Sequence, residues 1–370
     1  MARTLKSDRL LFGSTLLLVG ASVVLVYSAS AGRLLWHQII TVGLGLCLLL
    51  AMMRVDYHQF RRPAVIWTLM GVTVAALIAV FFFDPINRTQ RWIHVGDLTT
   101  LQPSEAAKLA ALLFTAALLE HRMHRVNDVA YALLPIAVVG AGLAALIVSQ
   151  PDFGTAAVLL LMVTAVLFAA GLSYRYVLGT LLVMLPVAMV LIVASEYRMR
   201  RLMAWLDPWS QRWNDGYQAV QSFMAVGSGG LFGNGLMGGV QKASYLPEPH
   251  NDFIFAVVGE EFGLFGTTAI VLGFAVIAWR GLRTALVAPD RFGSLLAIGL
   301  TMMVTCQALV NLSMVVGLLP TKGIPLPFLS SGGSSLLVNM VAVGVLLNIS
   351  QQSSPGAVGS LHGKSPEARG

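Results

Sequence analysis

Charged residues are scarce in this chain. Asp, Glu, Lys and Arg together make up 11% of its 370 residues, and hydrophobic residues make up 56%. Soluble domains ordinarily contain roughly 25% charged residues, so this composition excludes an ordinary soluble protein and predicts a membrane protein. There are only two cysteines, Cys47 and Cys306, and both fall within apolar runs. The sequence therefore gives no indication of a disulfide framework or of a cysteine metal site.

A compact basic face is also missing. The formal net charge is +7, but arginines and lysines near the ends of apolar runs account for much of it. No stretch combines clustered basic residues with interleaved aromatic residues, which is the pattern typical of nucleic-acid binding. The sequence therefore predicts no nucleic-acid partner.

Long apolar runs are abundant. A helix that crosses a bilayer needs about 20 predominantly apolar residues, and ten runs approach this length. We therefore predict an all-α polytopic membrane protein with ten transmembrane helices in one domain, residues 1–350. A tail rich in Gly, Ser and Pro, residues 351–370, is predicted to be disordered and cytoplasmic. The runs are 10–27, 35–53, 63–83, 104–119, 129–148, 154–170, 176–194, 253–278, 292–318 and 334–348.

The distribution of basic residues predicts the orientation, because Lys and Arg in short loops stay on the cytoplasmic side. If the N-terminus is cytoplasmic, the opposite short loops carry only Arg33, Arg88, Arg91 and Lys322. Both termini are therefore predicted to be cytoplasmic. Residues 196–252, between the seventh and eighth helices, then form an extracytoplasmic loop.

This loop is far longer than the usual connection of about 4–6 residues. Near its start three arginines, Arg198, Arg200 and Arg201, break the charge rule. They could bind an anionic headgroup, since guanidinium groups bind phosphate bidentately, or they could anchor the loop to ordinary lipid phosphates. Both interpretations stay open. Glycines recur over residues 227–239, where they allow tight turns and a close approach of backbone to a ligand.

The end of the loop, residues 245–255, reads YLPEPHNDFIF. Its prolines favour an extended, non-helical approach to the eighth helix. Asn251 or Asp252 could cap that helix, where an acid is stabilised by free amides. Alternatively, Asp252 could act as a general base that accepts a proton from a substrate hydroxyl. The spacing alone does not decide between these roles.

Four carboxylates and one lysine fall within predicted helices or at their ends, namely Glu105, Lys108, Asp152, Glu260 and Glu261. An unpaired charge at a bilayer centre costs about 2.5 to 3.5 kcal/mol on insertion scales, so each should face a partner or a wet cavity. Glu105 and Lys108 lie three residues apart, on one helical face, where they can pair. A structural ion pair and a role in binding or proton transfer both remain open.

The connection between the ninth and tenth helices, residues 319–335, has three prolines, three glycines and four serines. Non-helical backbone at membrane depth is tolerated only where it is buried in protein or lines a cavity, so we expect a re-entrant or cavity-lining loop. Its amides and hydroxyls could hold a phosphate or a sugar. A serine nucleophile is not expected, because the sequence has no Gly-x-Ser-x-Gly elbow and no partnered histidine is evident.

Taken together, these segments closely resemble the SEDS family (shape, elongation, division and sporulation) of bacterial membrane proteins. The likeness covers nearly all of residues 10–350. Residues 241–242 and 320–323 look more like the division branch of the family than the elongation branch. Asn251 and Ser331 stand where threonine and tyrosine are common in relatives. The motifs that carry the resemblance are YSASA at 27–31, QPSEAAK at 102–108, QPDFGT at 150–155, GYQAVQS at 216–222, QKASYLPEPHNDFIF at 241–255, GEEFG at 259–263 and the loop 320–335.

The resemblance implies a peptidoglycan glycosyltransferase that polymerises lipid II on the outer face of the bacterial cytoplasmic membrane, during cell division. It implies that Asp252 deprotonates the acceptor sugar for attack on the donor's anomeric carbon, with release of undecaprenyl pyrophosphate. A divalent cation, Mg²⁺ or Mn²⁺, could help neutralise the pyrophosphate, although no ligand cluster marks its site. The implied partners are a class B penicillin-binding protein and other divisome proteins. The predicted substrate-binding residues are Arg198, Arg201, Lys242, Glu248, His250, Lys322, Ser330 and Ser331.

Three other functions are considered. A lipid II flippase would use the Glu105–Lys108 pair along a translocation path and would tolerate loss of Asp252. A non-catalytic scaffold would recruit a crosslinking enzyme and need no particular carboxylate. An elongation-type polymerase would carry out the same chemistry outside the division site.

Overall fold

A computed structural model describes residues 7–83, 90–95, 99–321 and 323–353 of the chain. Helices dominate these residues, and each of the ten predicted runs coincides with one of them. In chain order the helices are α1 (Arg9–Ala29), α2 (Leu35–Met52), α3 (Pro63–Ala79), α4 (Pro103–Arg122), α5 (Leu134–Ser149), α6 (Phe153–Ala169), α7 (Tyr174–Val193), α8 (Glu196–Leu206), α9 (Tyr217–Ser228), α10 (Gln241–Ser244), α11 (Ile254–Val287), α12 (Arg291–Val315) and α13 (Gly333–Gln352).

Seven helical segments in the described part of the chain are long and apolar enough to cross a membrane. They are α1, α2, α3 with its 3-10 extension to Phe82, α5 with the π-helical turn Val129–Leu133 before it, α11, α12 and α13. Helix α6 and the first part of α7 are shorter apolar helices. The chain is therefore a polytopic membrane protein.

The fold differs from the prediction at several boundaries. A short antiparallel hairpin, β1 (Ile93–Val95) with β2 (Thr99–Leu101), precedes α4. Helix α11 continues past the predicted end at residue 278, because no helix breaker occurs before Pro289. Helix α12 ends earlier than predicted, since Gly317 adopts a φ of 83°. Helix α13 includes residues 351 and 352 of the predicted tail, and residues 354–370 lie outside the described residues.

The centre of the bundle is formed by α12 and α13. The most apolar window of each is 67% and 72% buried, respectively, whereas for the other long helices this share is 22–39%. Helix α7 lies at the edge, and Leu182 and Val190 are among its many exposed apolar side chains. Lipid-facing helices can remain apolar all round, so this exposure fits a bundle embedded in a bilayer.

Helix α1 is held at both ends by α11. At its start Asp8 caps the helix through Leu10 N and Leu11 N, and its other carboxylate oxygen lies 2.6 Å from Arg280 Nε. At its far end Ser28 Oγ donates to Glu261 Oε1 over 2.6 Å. The side chains of the Asp8–Arg280 ion pair and of the Ser28–Glu261 hydrogen bond are all buried or nearly buried.

Helix α11 is interrupted at Gly263, whose φ is 62°. At this break, the backbone of the glycine loop, residues 229–239, packs against α11 and forms hydrogen bonds with its backbone. Asn234 N donates to Glu260 O over 2.9 Å, and Leu264 N donates to Gly230 O over 3.0 Å. A Cβ at Gly233 would lie 2.1 Å from Glu261 O. The close backbone approach expected from these glycines is thus made to α11.

Candidate active site

Asp252 lies in a turn immediately before α11, on the side where α8, α9 and the loop 319–335 gather. The N-cap of α11 is Phe253, and no side chain caps this helix. Neither Asn251 nor Asp252 is therefore the cap that the sequence allowed. Asp252 is partly exposed. Its backbone carbonyl accepts a hydrogen bond from Asn311 Nδ2 at 2.8 Å.

The surroundings of Asp252 bring its titration close to neutral pH. Burial, followed by the negative charge of Glu248, raises the pKa of Asp252 to about 7. The positive charges of Arg91 and Arg201 act in the opposite direction, and Asp152 adds a smaller upward effect. A general base is most effective when its pKa lies near the working pH. This carboxyl group therefore has the electrostatic character of a general base.

Gly323 keeps a space open beside Asp252. A Cβ at this position would lie 3.2 Å from Asp252 Oδ2 and 4.0 Å from Arg91 Nη1. The Asp252 carboxylate and the Arg91 guanidinium thus both border the space next to Gly323. Any side chain at position 323 would occupy part of that space. A reacting hydroxyl needs such room within hydrogen-bond reach of its base.

Arg91 is a site residue that the sequence analysis did not single out. Its Nε donates to Gln150 O over 3.1 Å, another of its nitrogens donates to Pro151 O, and Nη1 lies 3.8 Å from Asp152 Oδ1. The sequence could have indicated Arg91 as a candidate site residue, because it is one of the few basic residues in the predicted outer loops. The sequence could not indicate that the chain around residue 150 would hold it near Asp252.

Asp152 has a structural role at the start of α6. Oδ1 accepts a hydrogen bond from Thr155 N at 3.2 Å, which caps the helix, and Oδ2 accepts one from Thr155 Oγ1 at 2.8 Å. Gln102 Nε2 donates to the same Oδ2 over 3.3 Å. The carboxylate is buried. Through these bonds and the ion pair to Arg91, Asp152 joins the start of α6 to Gln102 and to Arg91.

The two predicted phosphate-binding arginines lie on α8. Arg201 Nη1 donates to Thr321 O over 3.0 Å, at the start of the loop that contains Gly323. The guanidinium of Arg198 lies over the Phe153 ring, 4.0 Å from its centroid. Arg201 therefore belongs to the immediate charged surroundings of Asp252, and Arg198 lies beside the start of α6. Lys322, another predicted substrate contact, lies outside the described residues.

Four further predicted residues tie the segment before α11 to the loop 319–335. His250 Nε2 lies 3.4 Å from Glu248 Oε2, and Asn251 Nδ2 donates to the same oxygen over 2.9 Å. Ser330 Oγ donates to Asn251 O over 2.6 Å, and Ser331 Oγ donates to Asn251 Oδ1. Burial lowers the pKa of His250, although the charge of Glu248 opposes this. The two serine hydroxyls are thus engaged in positioning the turn that carries Asp252.

Lys242 lies in a separate buried cluster. Its Nζ forms an ion pair with Glu261 and donates to Ser28 Oγ over 2.5 Å. Glu260 is also buried here, and its Oε1 accepts from the backbone amides of residues 240–241 at 2.7 and 2.9 Å. The structure thus places Lys242 and Glu260 at the junction of the glycine loop, α1 and α11.

Glu105 and Lys108 form an ion pair inside the bundle. Lys108 Nζ lies 2.8 Å from Glu105 Oε1, and both side chains are buried. Lys108 also donates to Gln307 Oε1 on α12. Gln307 Nε2 in turn donates to Pro325 O and to Ser335 Oγ, each over 3.0 Å. The buried pair is thus connected to the loop 319–335 through Gln307.

Comparison with known proteins identifies close relatives. A probable peptidoglycan glycosyltransferase FtsW from Geobacter metallireducens is 41% identical over 342 residues, which covers 89% of this chain and 90% of the relative. Stage V sporulation protein E from Bacillus subtilis is 37% identical over 364 residues, or 94% of this chain and 97% of that protein.

Solved structures share the fold. A chain from a peptidoglycan synthase complex, described as coordinating polymerization and crosslinking, superposes with a TM-score of 0.80 at 27% identity and covers 94% of this chain and 98% of its own. The rod shape determining protein RodA of Thermus thermophilus gives a TM-score of 0.72 at 28% identity, covering 95% and 98%. The model of the FtsW, RodA and SpoVE family, described as cell cycle proteins, matches residues 8–355. With this match over nearly its whole length, the chain belongs to the FtsW/RodA/SpoVE family of cell cycle proteins.

Proposed function

We propose that this chain is a peptidoglycan glycosyltransferase that polymerises lipid II into glycan strands, with Asp252 as the general base. The family membership and the names of the relatives support the activity. The observation that carries the mechanism is the Asp252 carboxylate, which titrates near neutral pH beside the space that Gly323 leaves open.

In this mechanism Asp252 takes the proton from the 4-hydroxyl of the acceptor sugar. The oxygen attacks the anomeric carbon of the donor, and the bond from that carbon to the pyrophosphate breaks. Undecaprenyl pyrophosphate leaves with the electron pair, and the anomeric centre inverts. Negative charge accumulates on the leaving group, where the nearby guanidinium groups of Arg91 and Arg201 would stabilise it.

We further propose that ten helices cross the bacterial cytoplasmic membrane, namely α1 to α7 and α11 to α13. Helix α4 carries the buried pair Glu105–Lys108, and α6 and α7 are shorter apolar helices. With both termini cytoplasmic, the loop 196–252, which ends at Asp252, lies on the outer face of the membrane. Asp252 must lie there to act on lipid II exposed on that face. Residues 1–350 then form one domain.

A divalent cation, Mg²⁺ or Mn²⁺, that neutralises the leaving pyrophosphate stays a prediction. Across residues 7–83, 90–95, 99–321 and 323–353 there is no group of three or more His, Cys, Asp or Glu side chains placed to hold a metal ion. Mg²⁺ is commonly held by one or two carboxylates together with substrate phosphates.

The proposed partner is a class B penicillin-binding protein, which would crosslink the strands that this chain polymerises. A structural relative comes from a peptidoglycan synthase complex that coordinates polymerization and crosslinking, which supports such a pairing. Relatives named FtsW at up to 41% identity favour a role in division, together with other divisome proteins, over an elongation role.

The test is a polymerisation assay with purified protein, its partner and labelled lipid II in detergent. We expect glycan polymer from the wild-type protein and none from Asp252→Ala. A wild-type protein without polymer, or an equally active Asp252→Ala variant, would refute the proposal.

The buried pair Glu105–Lys108 keeps a lipid II flippase as the second candidate, because a charged pair inside a bundle can line a transport path. A flippase requires that Glu105→Gln abolish lipid II transport in vesicles while Asp252→Ala transports normally. A glycosyltransferase requires the loss of polymer in Asp252→Ala.

A further inference from the structure

We infer that Asn311 is a positioning residue for the reaction, which holds the backbone of Asp252 in register with the loop that carries Gly323. The inference rests on the proposed function, because it concerns the placement of the proposed base. Asn311 lies on α12 and is completely buried. Its Nδ2 donates two hydrogen bonds of 2.8 Å, one to Asp252 O and one to Ile324 O. One amide group thus joins the two walls of the candidate site.

Gln307 provides a second amide on the same face of α12. It precedes Asn311 by four residues, which is the spacing of neighbours on a helix surface. Its Nε2 donates to Pro325 O over 3.0 Å, so two successive carbonyl groups of the loop, at Ile324 and Pro325, are each bound by an amide of α12. Because Lys108 donates to Gln307, this pair of amides also connects the membrane ion pair with the loop.

The placement of Asp252 depends on such backbone contacts. The carbonyl oxygen of Asp252 accepts the 2.8 Å bond from Asn311 Nδ2. Ser330 and Ser331 fix the preceding residue, Asn251. Asn311 acts on Asp252 directly. A base must lie about 2.6 to 3.2 Å from the proton it removes, and a displacement of about 1 Å can reduce a rate by about 100-fold.

The two bonds from Asn311 also contribute to stability. Asn311 Oδ1 is buried and has no hydrogen-bond partner among the described residues, which is costly. An apolar side chain would avoid that cost but would leave both Asp252 O and Ile324 O without this donor. The amide nitrogen thus fixes Asp252 and the loop relative to each other, and the experiment must separate this effect from stability.

The experiment compares Asn311→Leu with Asn348→Leu in the polymerisation assay. Asn348 is a matched control, since it is also buried and joins α13 to another segment through Met53 O at 2.9 Å and Tyr57 N at 3.1 Å. It lies near the end of α13 that is opposite the loop 319–335. Thermal unfolding in detergent is measured for both variants. Rates are measured as a function of lipid II concentration, so that kcat and KM are separated.

We expect both substitutions to lower Tm, but only Asn311→Leu to reduce kcat, by about 100-fold, with KM within about threefold of wild type. The inference is overturned if Asn311→Leu loses no more kcat than Asn348→Leu, or if its loss appears in KM alone. Should Asn311→Leu not fold, Asn311→Ser is measured. Its hydroxyl is too short to reach both carbonyls, and kcat should fall by about tenfold, whereas kcat within twofold of wild type would overturn the inference.

Gln307 gives an independent check through additivity. If both amides support one arrangement, Gln307→Leu and Asn311→Leu combined should reduce kcat by little more than the larger single effect. If the fold-reduction of kcat in the double variant equals the product of the two single reductions, the two amides act separately, and the inference then applies to Asn311 alone. Wild-type protein without any polymer would instead refute the proposed function, which distinguishes the two failures.

Discussion

Arg91 and Asp152 form an ion pair, with 3.8 Å between Nη1 and Oδ1, beside the carboxylate of Asp252. The arginine comes from the chain before β1, and the aspartate caps α6. This pair sets part of the electrostatic environment in which the proposed base titrates. Its members act on the pKa of Asp252 in opposite directions, because Arg91 lowers it and Asp152 raises it.

Replacing Arg91 with Gln should move the acid limb of the pH–rate profile to higher pH. Arg91 lowers the pKa of Asp252, so its removal raises that pKa, and less of the base is ionised at neutral pH. Activity at pH 7 should fall by about tenfold or more. Arg54→Gln, at an exposed position, serves as the control. An unchanged acid limb in Arg91→Gln would contradict the assignment.

Replacing Glu248 with Gln should have the opposite effect. The charge of Glu248 raises the pKa of Asp252, so its loss lowers that pKa and keeps the base ionised to lower pH. The acid limb should move to lower pH, and activity at pH 6 relative to the maximum should rise. Gln still offers an oxygen to Asn251 Nδ2. The measurement is kcat/KM across pH 5 to 9, and a shift in the same direction as in Arg91→Gln would exclude this explanation.

Gly323→Ala should impair activity without impairing folding. The new Cβ would lie 3.2 Å from Asp252 Oδ2, which is tighter than ordinary contact and fills the space beside the base. We expect kcat/KM to fall by about tenfold or more, with Tm within a few degrees of wild type. The matched control is Gly43→Ala, because a Cβ at Gly43 meets nothing within 4 Å. Equal activity of the two variants would show that the space is not used.

Lys242→Met should act on stability. It leaves Glu261 buried without its cation, and breaking a buried pair in this way costs about 3 to 5 kcal/mol. The double variant Lys242→Met with Glu261→Gln removes the uncompensated charge and should recover most of the Tm. If Lys242 instead contacts substrate, as predicted from the sequence, the double variant will be stable but will show a raised KM for lipid II.

The sequence was most informative about the helices. Every predicted run coincides with a helix, because length and apolarity follow directly from the requirement to satisfy the backbone in lipid. The pairing of Glu105 with Lys108 also followed from a spacing of three residues on one helix. These are local properties, and they can be read from a single segment.

Contacts between distant segments could not be read in this way. Arg91 approaches Asp152 across some 60 residues of chain, and Lys242 meets Ser28 from the first helix. The sequence left open whether Asp252 caps the eighth helix. The turn bound by Ser330, Ser331 and Asn311 places it before the N-cap, which is Phe253. The end of α11 was also missed, since apolarity decreases at residue 278 whereas helical backbone continues.

The attachment of α1 to α11 has a consequence for the order of biosynthesis. Asp8 and Ser28 lie at opposite ends of α1, yet their partners, Arg280 and Glu261, are translated more than 200 residues later. At about 5 to 20 residues per second, the ribosome needs on the order of tens of seconds to reach them. Until then α1 lies in the bilayer without α11. It must therefore be stable in lipid on its own before α11 is inserted and binds both of its ends.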